Sequence, residues 1–360
     1  MCGTVHFSHY DHTWRWVRDL SNGDRRIYLH VEIRRVACRR CGTVKREQLP
    51  WIANPLHYTK RFALVVGRRC RSTPVSQVAK EYHLDWHTVK ELDKQYMEAQ
   101  LKRSGSPAPR MIGLDEISHG RGHSYRIVVS DLGRQRAIWF GGKDRSEASL
   151  DLFYEGLPEK KKRKIRLAVM DMWKAFEAST RKHVPQAAIL YDKFHVMRHV
   201  GKAVDTVRKQ EYSRLKGPQR KYLKGQKYIL LSRREHLDLD GQRALRKIFR
   251  LNKRLQAAYL LAESLGCLWN YHREGWARKF FDNWKVAMEG QKLEPFGKVA
   301  SMIEKHWDGI AAFCRPENKV SLGFVEGLNN KIRVIQRRAY GLRDEEYLRL
   351  KILTCTLPEL

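Results

Sequence analysis

Acid is heavily outnumbered by base in this sequence. Across 360 residues, 39 aspartates and glutamates face 71 lysines and arginines, a formal net charge of +32. The excess recurs in every region instead of collecting in one tail. A chain so cationic gathers polyanions, and nucleic acid is the default partner. Long apolar runs are missing too: stretches such as "FALVV" (Phe62 to Val66) fall far short of a membrane span. The N-terminus lacks the apolar segment of a signal peptide. Seven cysteines, an odd number and scattered, fit a reducing compartment better than a disulfide framework. No internal repeat is visible. The expectation is a soluble cytoplasmic protein, 42% apolar and long enough for two or three domains.

Residues 24–37, "DRRIYLHVEIRRVA", place Ile27, Leu29, Val31 and Ile33 on one face and Tyr28, His30, Glu32 and Arg34 on the other. That alternation is a half-buried strand. It leads into "CRRCG", where Cys38 and Cys41 have the spacing of two thiolates on one tetrahedral zinc and the following glycine permits the turn. Cys2 stands as though closing another such pair, with His6, His9 and His12 as further ligand candidates. The reading is a zinc-ribbon-like module over residues 1–50 that binds Zn²⁺. Because "MCGT" opens where a C-x-x-C pair would close, an internal start or a shortened element is expected.

Residues 72–97 read as two short helices joined by "HLD". Ser76 is the expected cap of the first, while Val89, Leu92 and Tyr96 give the second an apolar face at helical spacing. This is helix-turn-helix spacing, and the second helix would show Trp86, His87, Lys90 and Glu91 to a major groove. A DNA-binding domain is therefore expected over residues 51–105. "LKRSGSPAPR" (101–110) reads as a linker.

Beyond the linker the texture changes. Three strands at hairpin spacing precede an alternation of helix, strand, helix and strand, which predicts an α/β domain with a mixed sheet. From about residue 195 to 313 the pattern is helical. Asp115 falls in the first strand and Asp171 at the end of the fourth. Sites in open α/β sheets gather at strand ends, and close carboxylates invite a divalent cation. "GFVEGLNNKIRVIQRRAYGLR" (323–343) holds one acid, Glu326. Its apolar stripe of Val325, Leu328, Ile332 and Ile335 marks an amphipathic helix, while Asn330, Lys331, Arg333, Arg337 and Arg338 supply polar and cationic groups for phosphates. Two strand aspartates and one helix glutamate can complete a two-metal site whose oxygen ligands suit Mg²⁺ or Mn²⁺.

With these residues in hand, "GLDEIS", "VMDMW", "ILYDKFHV" and "FVEGLNNKIRVIQRRAYGLR" resemble the DDE transposases of bacterial insertion sequences, those of the ISL-three family in particular. The resemblance covers nearly the whole chain. It implies an RNase H-like core (106–199 and 316–360) interrupted by an all-helical insertion (200–315), with Asp115, Asp171 and Glu326 as the catalytic triad. It also implies that a tryptophan of the insertion stacks on a flipped base, with Trp269, Trp276 and Trp284 as candidates. Glu116, Asp192 and His195 are secondary candidates: Asp192 as a support of the site, His195 as a DNA contact. The expected partners are double-stranded DNA, as terminal inverted repeats and as target, and further copies of the chain, in the cytoplasm at the bacterial nucleoid. The competing reading is a catalytically inert regulator that keeps only the helix-turn-helix. Displacement of counterions predicts steep salt dependence: if about six phosphates are neutralised, a fourfold rise in salt weakens DNA binding on the order of a thousandfold. Fluorescence anisotropy across that range checks this, and flat affinity would contradict it.

Overall fold

The computed structural model describes residues 6–118, 125–320, 323–339, 342 and 344–360. The chain forms two units, one of residues 1–106 with 329–360 and one of residues 107–328.

The first unit opens with an antiparallel sheet of β1 (Asp11–Arg18), β2 (Tyr28–Cys38) and β3 (Thr43–Arg46), in that order. The predicted alternation holds from Leu29 to Ile33, where Ile33 is buried with Val17 on one face, but Ile27 is exposed and precedes the strand. Three helices follow, α1 (Lys60–Arg69), α2 (Val75–Tyr82) and α3 (Trp86–Ser104), around Phe62, Val66, Val78, Val89 and Leu92. Thr59 caps α1 by accepting from the Phe62 N–H, and its own hydroxyl donates to buried Asp19 at 2.7 Å. The turn between α2 and α3 runs through His83 in the left-handed region, and Asp85 caps α3 by accepting from the His87 N–H at 2.8 Å. Two expectations need correction. Ser76 does not cap α2, which starts one residue earlier behind Pro74, a residue with no side chain able to cap. The segment 101–110 is not all linker, because α3 continues to Ser104 and ends at Gly105, whose φ of +69° suits glycine.

The second unit is built on a five-stranded sheet of β4 (Met111–Ser118), β5 (Tyr125–Asp131), β6 (Arg136–Gly141), β7 (Leu167–Met170) and β8 (Ala188–Tyr191), ordered β6-β5-β4-β7-β8. β5 is antiparallel to both of its neighbours, whereas β4, β7 and β8 are mutually parallel. Helices α4 (Glu147–Glu155), α5 (Glu159–Lys162) and α6 (Lys174–His183) supply the crossovers. One sheet face joins Ile112, Leu114, Ala168 and Met170 to Leu150, Phe153 and Phe176. The other joins Leu167, Val169 and Leu190 to Ala312 and Val325.

Helix α7 (Lys193–Arg214) leaves β8 and enters an all-helical region of α8 (Gly217–Leu223), α9 (Lys227–Leu231), α10 (Leu239–Leu251), α11 (Lys253–Leu265), α12 (Glu274–Glu289), α13 (Glu294–Lys305) and α14 (Trp307–Ala311). Its buried Val196, Val200, Val204 and Val207 belong to the same hydrophobic cluster as the sheet, so no break in the chain or the core occurs at residue 200. No helix among the described residues is long and apolar enough to cross a membrane.

Helix α15 (Gly323–Arg338) is divided: residues up to Leu328 cluster with the α/β unit, and those from Asn329 on with the first unit. The segment 316–360, expected to belong wholly to the core, is thus shared between the two units. What holds the end of the chain in the first unit is α16 (Glu345–Thr354), whose buried Tyr347 and Leu350 pack on Tyr96 and Met97 of α3. Tyr347 donates its hydroxyl to the buried carboxylate of Asp93, and Lys351 pairs with the same group while donating to the Cys70 carbonyl at 2.9 Å. A buried carboxylate stripped of its cation is costly. Lys351→Ala is therefore expected to destabilise the first unit by about 3–5 kcal/mol, and Asp93→Asn with Lys351→Met to recover much of that in chemical denaturation.

Candidate active site

The parallel strands decide where the acids go. Gly113 of β4 lies opposite Val169 of β7, so two residues further on the same register sets Asp115 level with Asp171. Met170 of β7 lies opposite Tyr191 of β8, and the Asp192 N–H donates to the Met170 carbonyl at 2.9 Å, which sets Asp192 beside them. Three aspartates thus stand side by side, Asp171 and Asp192 just past the C-terminal ends of β7 and β8 and Asp115 within β4, which runs on to Ser118. They line one cleft with His195 and Val325.

Local hydrogen bonds fix each carboxylate. Asp115 accepts from the Glu116 N–H at 2.7 Å, and Asp171 from the Met172 N–H at 2.6 Å. Asp192 caps α7 by accepting from the Phe194 N–H at 2.9 Å, and its other oxygen holds His195 Nδ1 at 3.1 Å. That contact turns His195 Nε2 toward Asp171, 3.9 Å away. The hydrogen bond to Asp192, reinforced by the charges of Asp171 and Asp115, raises the His195 pKa above its ordinary value against the opposing effect of burial.

Glu326 arrives from another direction. Gly113 and Asp115 share a sheet face, and the first turn of α15 packs there through Val325. A Cβ at Gly113 would come within 2.9 Å of the Val325 methyl and 2.7 Å of the Ser130 hydroxyl, so only glycine admits the helix this closely. Glu326 is the next residue after Val325 and is exposed. The structure brings Asp115, Asp171, Asp192 and His195 into one cleft, with Glu326 beside it and not among its lining residues. Among the described residues, the groups with donor atoms all within 4.8 Å of one another are instead His9, His12 and Glu32, and Asp151, Glu155 and His183.

Comparison with known proteins decides the family. A family model described as "Transposase" matches residues 112–352, and the helix-turn-helix domain of transposase family ISL3 matches residues 47–97. The transposase for insertion sequence element IS1001 of Bordetella parapertussis is 36% identical over 355 residues, covering 98% of this chain and 86% of its own. The chain belongs to the ISL3 family of transposases. The transposase for IS1557 of Mycobacterium tuberculosis is 26% identical over 355 residues, covering 92% of this chain and 79% of its own. This transposase therefore binds DNA, with a helix-turn-helix domain to do so, and its catalytic class is DNA cleavage and transfer.

The remaining site candidates fall unevenly in the transposase. Trp86 and His87 are exposed at the start of α3, their rings 3.5 Å apart. Lys90, partly exposed, pairs its ammonium with Asp344 at 2.7 Å over the Tyr347 ring. Asn330, Lys331, Arg333 and Arg337 are exposed along α15, and Arg338 donates to the Arg71 carbonyl at 3.0 Å. Trp269 and Trp284 are corrections, since both are buried in the helical core and have no ring face to offer a base; Trp284 Nε1 donates to the Leu261 carbonyl at 3.0 Å. Trp276 is exposed, with Lys279 over its ring. Glu116 pairs with Arg145 at 3.0 Å. Cys38 and Cys41 lie where β2 turns into β3, and Cys2 lies outside the described residues.

Sequence reasoning missed three neighbours of the site. Arg145 lies between the rings of Tyr125 and Trp173, and Trp173 Nε1 donates to the Arg145 carbonyl at 2.8 Å. His199 and His306 both feel the charge of Asp171, although burial dominates and lowers their pKa values. The spacing of four between His195 and His199 on a helix was the available signal. Gly113→Ala, by pushing on Val325, is expected to cost about 1–3 kcal/mol of stability and to reduce cleavage, with Gly113→Ala plus Val325→Ala regaining part of both. Thermal unfolding and an end-cleavage assay check this.

Proposed function

We propose that this transposase binds the terminal inverted repeats of its element and that Asp115, Asp171 and Glu326 carry out cleavage and strand transfer. The observation that carries the reading is the level placement of Asp115 and Asp171 on adjacent parallel strands, beside the helix that bears Glu326. The sheet order, with its second strand antiparallel, supports an RNase H-like core interrupted by the helical region.

The donor set fits hard divalent cations: it consists of carboxylate oxygens, drawn together on a sheet edge where their charges repel. Asp115, Asp171 and Glu326 would hold two Mg²⁺ or Mn²⁺ ions. When bound, such ions activate a water or 3′-hydroxyl and stabilise the leaving oxygen. Asp192 holds His195 Nδ1, so the imidazole keeps one orientation beside Asp171. The exposed Lys331, Arg333 and Arg337 neutralise backbone phosphates, and exposed Trp86 and His87 face the groove read by α3. Zn²⁺ at Cys38 and Cys41 with Cys2 would fasten the β2–β3 turn. Pairing two ends requires more than one protomer on DNA.

Asp115→Asn, Asp171→Asn and Glu326→Gln are each expected to cut end cleavage and joining by roughly a hundredfold or more, because held cations supply several kcal/mol of charge stabilisation. Binding of a terminal-repeat duplex should stay within about threefold of wild type. A variant that still cleaves while binding normally would remove that residue from the triad.

A further inference from the structure

The first unit carries a surface that neither the helix-turn-helix nor the carboxylate cleft uses. On the solvent face of its small sheet, Trp16 of β1 lies directly opposite His30 of β2 in the ladder, and Trp14 lies two residues before Trp16 on the same side. His30 stacks on both indoles, with ring centroids 4.6 Å from Trp14 and 4.4 Å from Trp16 and interplanar angles of 29° and 22°. Trp14 is 55% exposed and Trp16 62% exposed, and neighbouring Tyr28 is exposed as well. The opposite face of the sheet buries Val17 and Ile33, so the indoles are not needed to close that core. Folded monomers rarely leave large aromatic rings grouped on the surface without a use for them.

Charge identifies the occupant. Residues 11–46 contain ten lysines and arginines against four acids. One of those acids, Glu32 on the aromatic face, is already held by Arg34 at 2.8 Å, and Asp11 is paired with Arg35. A second copy of this face would meet like charge, whereas a polyanion meets its complement. Flat rings set among cations suit a strand whose phosphates lie along the arginines while its bases stack on the rings. In a duplex, base faces are covered by the neighbouring pairs; in an unpaired strand they are open. The ladder is ordered in advance by its own stacking, so little side-chain freedom is lost when a base is added.

We propose that the Trp14–His30–Trp16 ladder is a second nucleic-acid surface of this transposase, one that takes unpaired bases of a DNA strand. It rests on the family's action on DNA and not on the assignment of the carboxylates.

The test uses the full chain without added Mg²⁺ or Mn²⁺, which silences metal-dependent chemistry and so separates this surface from the carboxylate cleft. A fluorescent 15-nucleotide oligo(dT) and a blunt duplex lacking the terminal repeats are titrated by anisotropy. Trp14→Ala with Trp16→Ala is expected to weaken oligo(dT) binding about tenfold or more, as loss of base stacking does, and to change duplex binding by less than about threefold. Trp14→Phe with Trp16→Phe, which keeps flat rings, should retain most of the affinity for oligo(dT). Three results would overturn the proposal. The first is oligo(dT) binding that is absent in the wild type or unchanged in the alanine variant, including the case where sedimentation shows that variant losing self-association, which would make the face an interface between copies. The second is equal loss on both probes. The third is a phenylalanine variant as weak as the alanine one.

Discussion

Parallel pairing of β4, β7 and β8 is the constraint on which the site depends. Residues at matched positions along such strands end at the same level, so one aspartate per strand becomes a row of like charges. Nothing in the folding of the sheet needs that row, and the repulsion within it opposes folding. The surroundings respond to the charge: a backbone N–H at Asp115 and another at Asp171, and the cap of α7 with the His195 ring at Asp192. Gly113 answers a related demand, since the strand that places Asp115 must also let Val325 come close enough to seat α15.

Much of this was legible in the sequence because it is written in local periodicity. Alternation gave β2, hairpin spacing gave β4 to β6, and an apolar run ending in an acid gave β7 with Asp171. The helix-turn-helix was legible from Val89, Leu92 and Tyr96 at helical spacing, and its model match covers the same stretch. Glu326 stood out as the single acid of a basic segment whose Val325, Leu328 and Ile332 are indeed buried.

What was not legible depends on partners distant in sequence. The pairing of Lys90 with Asp344 joins residues that no short window contains. Trp269 and Trp284 look available for stacking until the bundle closes around them. His306 reaches the neighbourhood of Asp171 only because the helical region returns to the sheet, which no short window of residues reports. Ser76 failed as a cap for a more local reason: a proline two residues earlier already fixes a backbone suited to starting the helix.

The placement of α16 has a consequence for the order of events during synthesis. Asp93 sits in α3 with no exposure, and the groups that compensate it, Tyr347 and Lys351, come from the closing stretch of the chain. Synthesis therefore makes α3 well before the helix that packs on it, and Asp93 acquires its partners only when α16 follows.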